Sequence, residues 1–247
     1  DTGTTNILYI SVKTKEGELI ERSLTVSPVS VDLIWQNDSF VPPFYKGKAL
    51  YSHQNKITFI ALPHIFDNGK EVSPKNLIYT WKKNGSVVDS ASGYGKNTYT
   101  TEGSVISRTL NIEVNVTSPT TNAGGYAHTI VTPIEPSIVF YKKNPLYGIE
   151  FQTALSGAVN IKNSNEINIL AVPFFFGVTD KKSIDLTYIW SINGSEISNT
   201  GSSNQVFRKK EGTEGNSFIS LSIENSNKIL QYASADFNLV FNNKSSL

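Results

Sequence analysis

The sequence predicts an all-β chain of tandem antiparallel units, each a sandwich or a barrel. Three observations carry that expectation. The chain repeats itself at an offset of 105–112 residues, short runs rich in β-branched and aromatic residues alternate apolar with polar, and both copies place Asn-Gly three residues after a Trp.

The repeat comes first because it sets the frame. Val26-Ser27-Pro28-Val29 aligns with Val131-Thr132-Pro133-Ile134, Leu33-Ile34-Trp35 with Ile138-Val139-Phe140, and Ala49-Leu50 with Ala154-Leu155. Further on, Ala61-Leu62-Pro63 meets Ala171-Val172-Pro173, and the Trp81 turn Asn84-Gly85-Ser86 meets the Trp190 turn Asn193-Gly194-Ser195. Thr101-Glu102-Gly103 and Leu110-x-Ile112-Glu113 meet Thr213-Glu214-Gly215 and Leu221-x-Ile223-Glu224. The anchors keep their order while the offset drifts slowly, so the chain is a duplication with expected units at 28–135 and 136–247.

Residues 1–27 precede the first unit. Ile7 to Thr14 and Leu19 to Val26 read as strands joined at Glu16-Gly17. By the 105 offset, Leu19 to Val26 takes the place of a unit's last strand. The expectation is therefore a hairpin remnant of a preceding domain, or a hairpin donated to a neighbouring subunit.

Within the units, Ile57 to Leu62 and Ile167 to Val172 are β-branched runs stopped by Pro. Leu77 to Trp81 and Leu186 to Trp190 alternate, which puts Tyr79 with Trp81, and Tyr188 with Trp190, on one face as structural core. The Asn-Gly pairs that follow suit type I′ hairpin turns. Ser104 to Val114, Ser217 to Glu224, Tyr126 to Ile134 and Ala235 to Phe241 complete the strands. Pro133 and Pro136 bracket Ile134-Glu135 and predict a short stiff connector between the units.

Composition narrows the function. The chain has 247 residues, 11% aromatic and 17% charged, with a formal charge of +1. Near-neutrality removes the basic footprint that nucleic acid binding needs. Cys and Met are both absent and His occurs three times, which excludes disulfides, thiolate sites and a Cys nucleophile. No apolar run approaches the ~20 residues of a membrane helix. The start at Asp1-Thr2-Gly3, without Met, leads to the expectation of a removed export segment or a longer parent chain. The sequons at Asn37, Asn84, Asn115, Asn193 and Asn243 matter only in a glycosylating host.

The Tyr-x-Trp strand, its turn, and the strand pair Phe218 to Asn225 and Ala233 to Phe241 resemble the PKD-type immunoglobulin-like domain, over roughly 31–134 and 137–241. The resemblance implies tandem Ig-like, PKD-type antiparallel β-sandwiches. Where such domains carry an acidic turn after the Trp, this chain has Lys82-Lys83-Asn84-Gly85 and Ser191-Ile192-Asn193-Gly194, so no Ca²⁺ is carried over. The strings Pro42 to Leu50 and Ala91 to Asn97 are similar to those in surface proteins of small-genome candidate bacteria. That likeness implies an extracellular, cell-surface bacterial protein.

Catalytic motifs fail on inspection. Gly93-Tyr94-Gly95-Lys96-Asn97 lacks both the first Gly and the Ser/Thr of a phosphate loop, and reads as a turn. Asp1-Thr2-Gly3 has no second copy, and no Gly-x-Ser-x-Gly elbow exists. His53, His64 and His128 read as structural or solvent-facing. Acidic residues lack the spacing of a Ca²⁺ loop. Lys–Asn cross-links have their ingredients but no position that sequence picks out. The contact candidates are Phe44 and Tyr45, adjacent on a turn, joined by Tyr94 and Tyr99 as an aromatic platform. The expected protein is therefore non-enzymatic, without cofactor or metal. It presents, spaces or assembles by protein contact or self-association, as in a fibre or lattice, with glycan binding through exposed aromatics as the alternative. Membrane attachment is expected only through segments outside this sequence.

Overall fold

The computed structural model describes residues 6–26, 29–43, 45–67, 70–106, 108–121, 123–161, 164–198, 201–210 and 214–241. Phe44 lies outside them. The chain is all-β and forms tandem Ig-like antiparallel sandwiches. It divides into two compact units: residues 1–36, 58–101 and 109–131, and residues 37–57, 102–108 and 132–247. Residues 37–57, which by sequence belong to the first copy, thus pack in the second unit.

Unit 1 begins with a hairpin of β1 (Asn6–Lys13) and β2 (Leu19–Val26). Its turn is closed by Gly17 N–H donating to the Thr14 carbonyl, with Gly17 at φ 90°. β3 (Ser30–Asn37) and β4 (Lys56–His64) follow, then the short pair β5 (Phe66–Asp67) and β6 (Lys70–Glu71). Next come β7 (Ile78–Lys83), β8 (Ser86–Val87), β9 (Gly93–Tyr94), β10 (Thr98–Glu102), β11 (Leu110–Thr117) and β12 (Gly124–Val131). One sheet runs β10-β4-β3 and the other β12-β11-β7-β8, with β9 also on β7. Strict alternation in β4, β7 and β11 sends Phe59, Ala61, Tyr79, Trp81, Ile112, Val114 and Val116 inward.

Unit 2 contains β13 (Ser137–Asn144), β14 (Gly148–Leu155), β15 (Gly157–Ile161), β16 (Glu166–Phe174) and β17 (Leu186–Ile192). It continues with β18 (Ser195–Glu196), β19 (Asn204–Arg208), β20 (Gly215–Asn225) and β21 (Tyr232–Phe241). The sheets are β14-β13-β16-β19 and β15-β21-β20-β17-β18. Phe140, Ile169 and Phe207 from the first meet Trp190, Leu221 and Phe237 from the second in one core. β15 pairs with β21 in parallel, because β15 meets the free side of the last strand running in the same direction.

The two Asn-Gly turns show why the copies fold alike. Asn84 and Gly85 have φ of 51° and 84°, and Asn193 and Gly194 have 50° and 81°, the pair of positive angles a type I′ turn requires. Each Asn also adds a rung to the neighbouring strand. Asn84 Oδ1 accepts from the Asn111 amide at 2.9 Å, and Asn193 Oδ1 from the Phe218 amide at 2.8 Å.

Candidate functional site

The core aromatics are held identically in both copies. Trp81 Nε1 donates to the Lys96 carbonyl at 2.9 Å and Trp190 Nε1 to the Ser202 carbonyl at 3.0 Å. Tyr79 donates its hydroxyl to the Pro74 carbonyl at 2.9 Å, and Tyr188 to the Lys181 carbonyl at 2.6 Å. Burial disfavours the phenolates: the Tyr79 hydroxyl is pushed up to about 12, and Tyr188 is raised by burial and by the nearby Asp180 charge. These four residues are walls of the two interiors.

Of the contact candidates, Tyr99 is not at the surface. Tyr99 is only 6% exposed, stacks on Phe59 at 6.1 Å and tilts against Trp81 at 5.8 Å. Its place in the alternation of Thr98-Tyr99-Thr100 turns it into the interior, which corrects its expected role on the surface. Tyr94 is exposed, and its hydroxyl reaches Asn76 Oδ1 at 3.3 Å. Tyr45 belongs to the other unit and is 37% exposed.

Tyr45 sits in an aromatic surface that the sequence reading did not assemble. Its ring lies edge-on to Phe174 at 5.7 Å and to Phe175 at 6.1 Å. With Tyr141, Leu170 and Val172, Phe174 forms a second apolar cluster, against which Phe40, Val139, Ile149, Phe151 and Phe175 pack part-buried. Tyr141 and Phe151 make a further edge contact at 5.1 Å. The cluster exists because β13 and β16 are apolar on both faces. Ile138, Phe140, Ile167, Ile169 and Ala171 enter the main core while Tyr141, Leu170, Val172 and Phe174 point the other way. A near-continuous apolar run is the sign of a strand covered on both sides, and Ile169 to Phe176 was that signal.

Phe40 and Tyr45 help cover this outer face, and the segment around them is fastened by polar bonds. The Phe40 amide donates to the Phe176 carbonyl and the Phe175 amide to the Phe40 carbonyl, both at 2.7 Å. Ser52 Oγ donates to the Phe175 carbonyl at 2.5 Å. Phe175 is thereby held at φ 65°, a left-handed conformation that costs a non-glycine residue about 1–3 kcal/mol and marks sites over-determined by their surroundings.

Behind the loop lies a buried amide network. Gln231 Nε2 donates to the His53 carbonyl at 2.6 Å and to Asn55 Oδ1 at 3.0 Å. Gln231 Oε1 accepts from the Gly177 amide at 2.8 Å and from Asn225 Nδ2 at 3.0 Å. Asn55 Nδ2 donates to Ser39 Oγ at 2.6 Å, and the Lys228 ammonium to Asn55 Oδ1 at 2.9 Å. Desolvation lowers the Lys228 ammonium's pKa, against the opposing pull of Glu102, Asp38 and Asp185. Buried donors find acceptors throughout this patch, so it specifies one loop position.

Among the described residues no group of three or more His, Asp or Glu could hold a metal ion. His64 Nδ1 is 3.0 Å from Glu71 Oε1, and its Nε2 is 3.9 Å from Asp32 Oδ2, beside an open groove lined by Leu62, Pro63 and Val72. No helix among the described residues is long and apolar enough to cross a membrane.

No protein-family model and no curated protein matches the chain. Solved structures resemble it in part. The three N-terminal domains of the bacteriophage RB49 highly immunogenic outer capsid protein (Hoc) are 15% identical with a TM-score of 0.44, over 87% of this chain and 59% of that one. Fibronectin(III)-like modules of Clostridium thermocellum CbhA are 11% identical with a TM-score of 0.27, over 84% of this chain and 94% of that one. The ectodomain of mouse nectin-like molecule 4, Ig1–Ig3, is 5% identical with a TM-score of 0.33, over 94% and 75%.

Proposed function

We propose that this chain is an extracellular, non-enzymatic part of a bacterial cell-surface protein, which presents, spaces or assembles by protein–protein contact. The observation that supports this reading is the aromatic outer face of unit 2, where Tyr45, Phe151 and Phe175 stand part-exposed over a second apolar cluster. Half-buried Tyr and Phe on a rigid support are what protein interfaces use, because they bring large contact area with little rotamer entropy to lose. The fixed loop suits recognition, since its conformation is set before any partner arrives.

Glycan binding is the second reading, favoured by the exposed part of the Tyr45 ring. Sedimentation velocity over a concentration series, alongside a glycan array, separates the two. Concentration-dependent association that is weakened at least tenfold by Tyr45→Ser, with a silent array, is the expected result. A chain that stays monomeric and binds defined sugars only while Tyr45 is intact would replace the first reading by the second.

A further inference from the structure

The β1–β2 hairpin is built like the closing hairpin of each sandwich. In unit 1, β11 pairs with β12 on one side and with the Trp-bearing β7 on the other, so that Val114 lies between Ala127 and Trp81. In unit 2, β20 stands between β21 and β17, and Leu221 lies between Ala235 and Trp190. The hairpin follows the same frame. β2 runs into β3 through Val26-Ser27-Pro28-Val29, as β12 runs into β13 through Val131-Thr132-Pro133-Ile134. Matching strand end to strand end puts Leu8, Ile10 and Val12 at the positions of Ile112, Val114 and Val116.

The difference is exposure. Ile112, Val114 and Val116 are wholly buried, whereas Leu8, Ile10 and Val12 are about half exposed, at 53%, 45% and 54%, and Ile20 shares their face. Among the described residues β1 pairs with β2 alone, so its second edge is an open ladder. Ile10 has Arg22 across one side, where the two units carry alanine, and the stem of an Arg can lie over apolar surface while its head reaches water. An apolar face beside an open edge, on an isolated two-stranded ribbon, is unstable in water by itself.

We propose that this edge and face are occupied by a third sandwich, formed by the protein's own polypeptide upstream of Asp1 and lacking only its closing hairpin. Its edge strand is of the aromatic-x-Trp kind, pairs with β1, and sets its Trp opposite Ile10. The repeat favours this occupant over a second copy. Hairpin-to-hairpin packing of two copies would cover only four or five side chains a side, well below the 20–30 residues a side of a standard interface.

The test compares residues 1–247 with the same protein extended upstream along its natural reading frame by one repeat length. Amide exchange is followed by mass spectrometry, and each form is examined with and without Ile10→Glu. In the extended protein, the β1 and β2 amides should exchange at least a hundredfold more slowly than in 1–247. Ile10→Glu should abolish that protection, and should leave the amides around Trp81 and Trp190 unchanged in both forms. Equal exchange in the two forms overturns the proposal. So does self-association of residues 1–247 that Ile10→Glu reverses, which would give the hairpin to a second copy.

Discussion

Gln231 is where the fold of unit 2 is most exposed to a single change. It is 1% exposed, and its amide serves five partners: the His53 carbonyl, Asn55 Oδ1, Ser52 Oγ, the Gly177 amide and Asn225 Nδ2. Gln231→Leu keeps the bulk and the backbone bonds and removes every side-chain bond. Asn55 Oδ1 retains the Lys228 ammonium and Ser52 Oγ its bond to the Phe175 carbonyl, so neither is stranded. The other three lose a buried partner, at about 1–3 kcal/mol each, which gives about 3 kcal/mol as a floor and about 9 as a ceiling. Local relaxation and entering water favour the lower half, about 3–5 kcal/mol, a large part of the 5–15 kcal/mol that holds a typical domain. The assay is a urea series read by hydrogen exchange. Peptides from β20 and β21 report on unit 2, and peptides from β11 give the internal reference. The midpoint for β20 and β21 should fall while that for β11 stays. A loss under about 1 kcal/mol, or an equal fall in both sets, would refute the argument that this network fixes residues 37–57 in unit 2.

Two other outcomes follow from the paired cores. Trp81→Ala and Trp190→Ala should each cost about 3–5 kcal/mol, with the larger loss confined in calorimetry to the unit carrying the change, because each Trp is fully buried and bonded through Nε1. Tyr79 and Tyr188 should make the protein alkali-sensitive. A folded-state pKa raised above the unfolded value of about 10 leaves stability intact below pH 10 and drains it as pH rises toward the folded value, about 12 for Tyr79. Tyr79→Phe should flatten the fall of melting temperature between pH 10 and 12 for unit 1, and an unchanged slope would count against a buried neutral phenol.

The alternation, the duplication and the turns were legible in the sequence, since each is written within a few residues. Tyr79, Trp81, Tyr188 and Trp190 lie inside because strand period alone sets their face, and Asn84-Gly85 and Asn193-Gly194 turn because few other pairs tolerate two positive φ angles. The same period should have placed Tyr99 inside, where the structure puts it. What local pattern could not say is what covers a strand's second face. Leu170, Val172 and Phe174 announce an apolar outer side, but only the fold shows that Phe40 and Tyr45, more than a hundred positions earlier, help close over it. The bonds that decide this, Ser52 to Phe175 and Gln231 to His53, span 123 and 178 residues. Sequence determines which side chains must leave water. Only the tertiary structure decides which distant segment receives them, because buried polar groups can be satisfied by whichever partner the packed chain brings within hydrogen-bond reach.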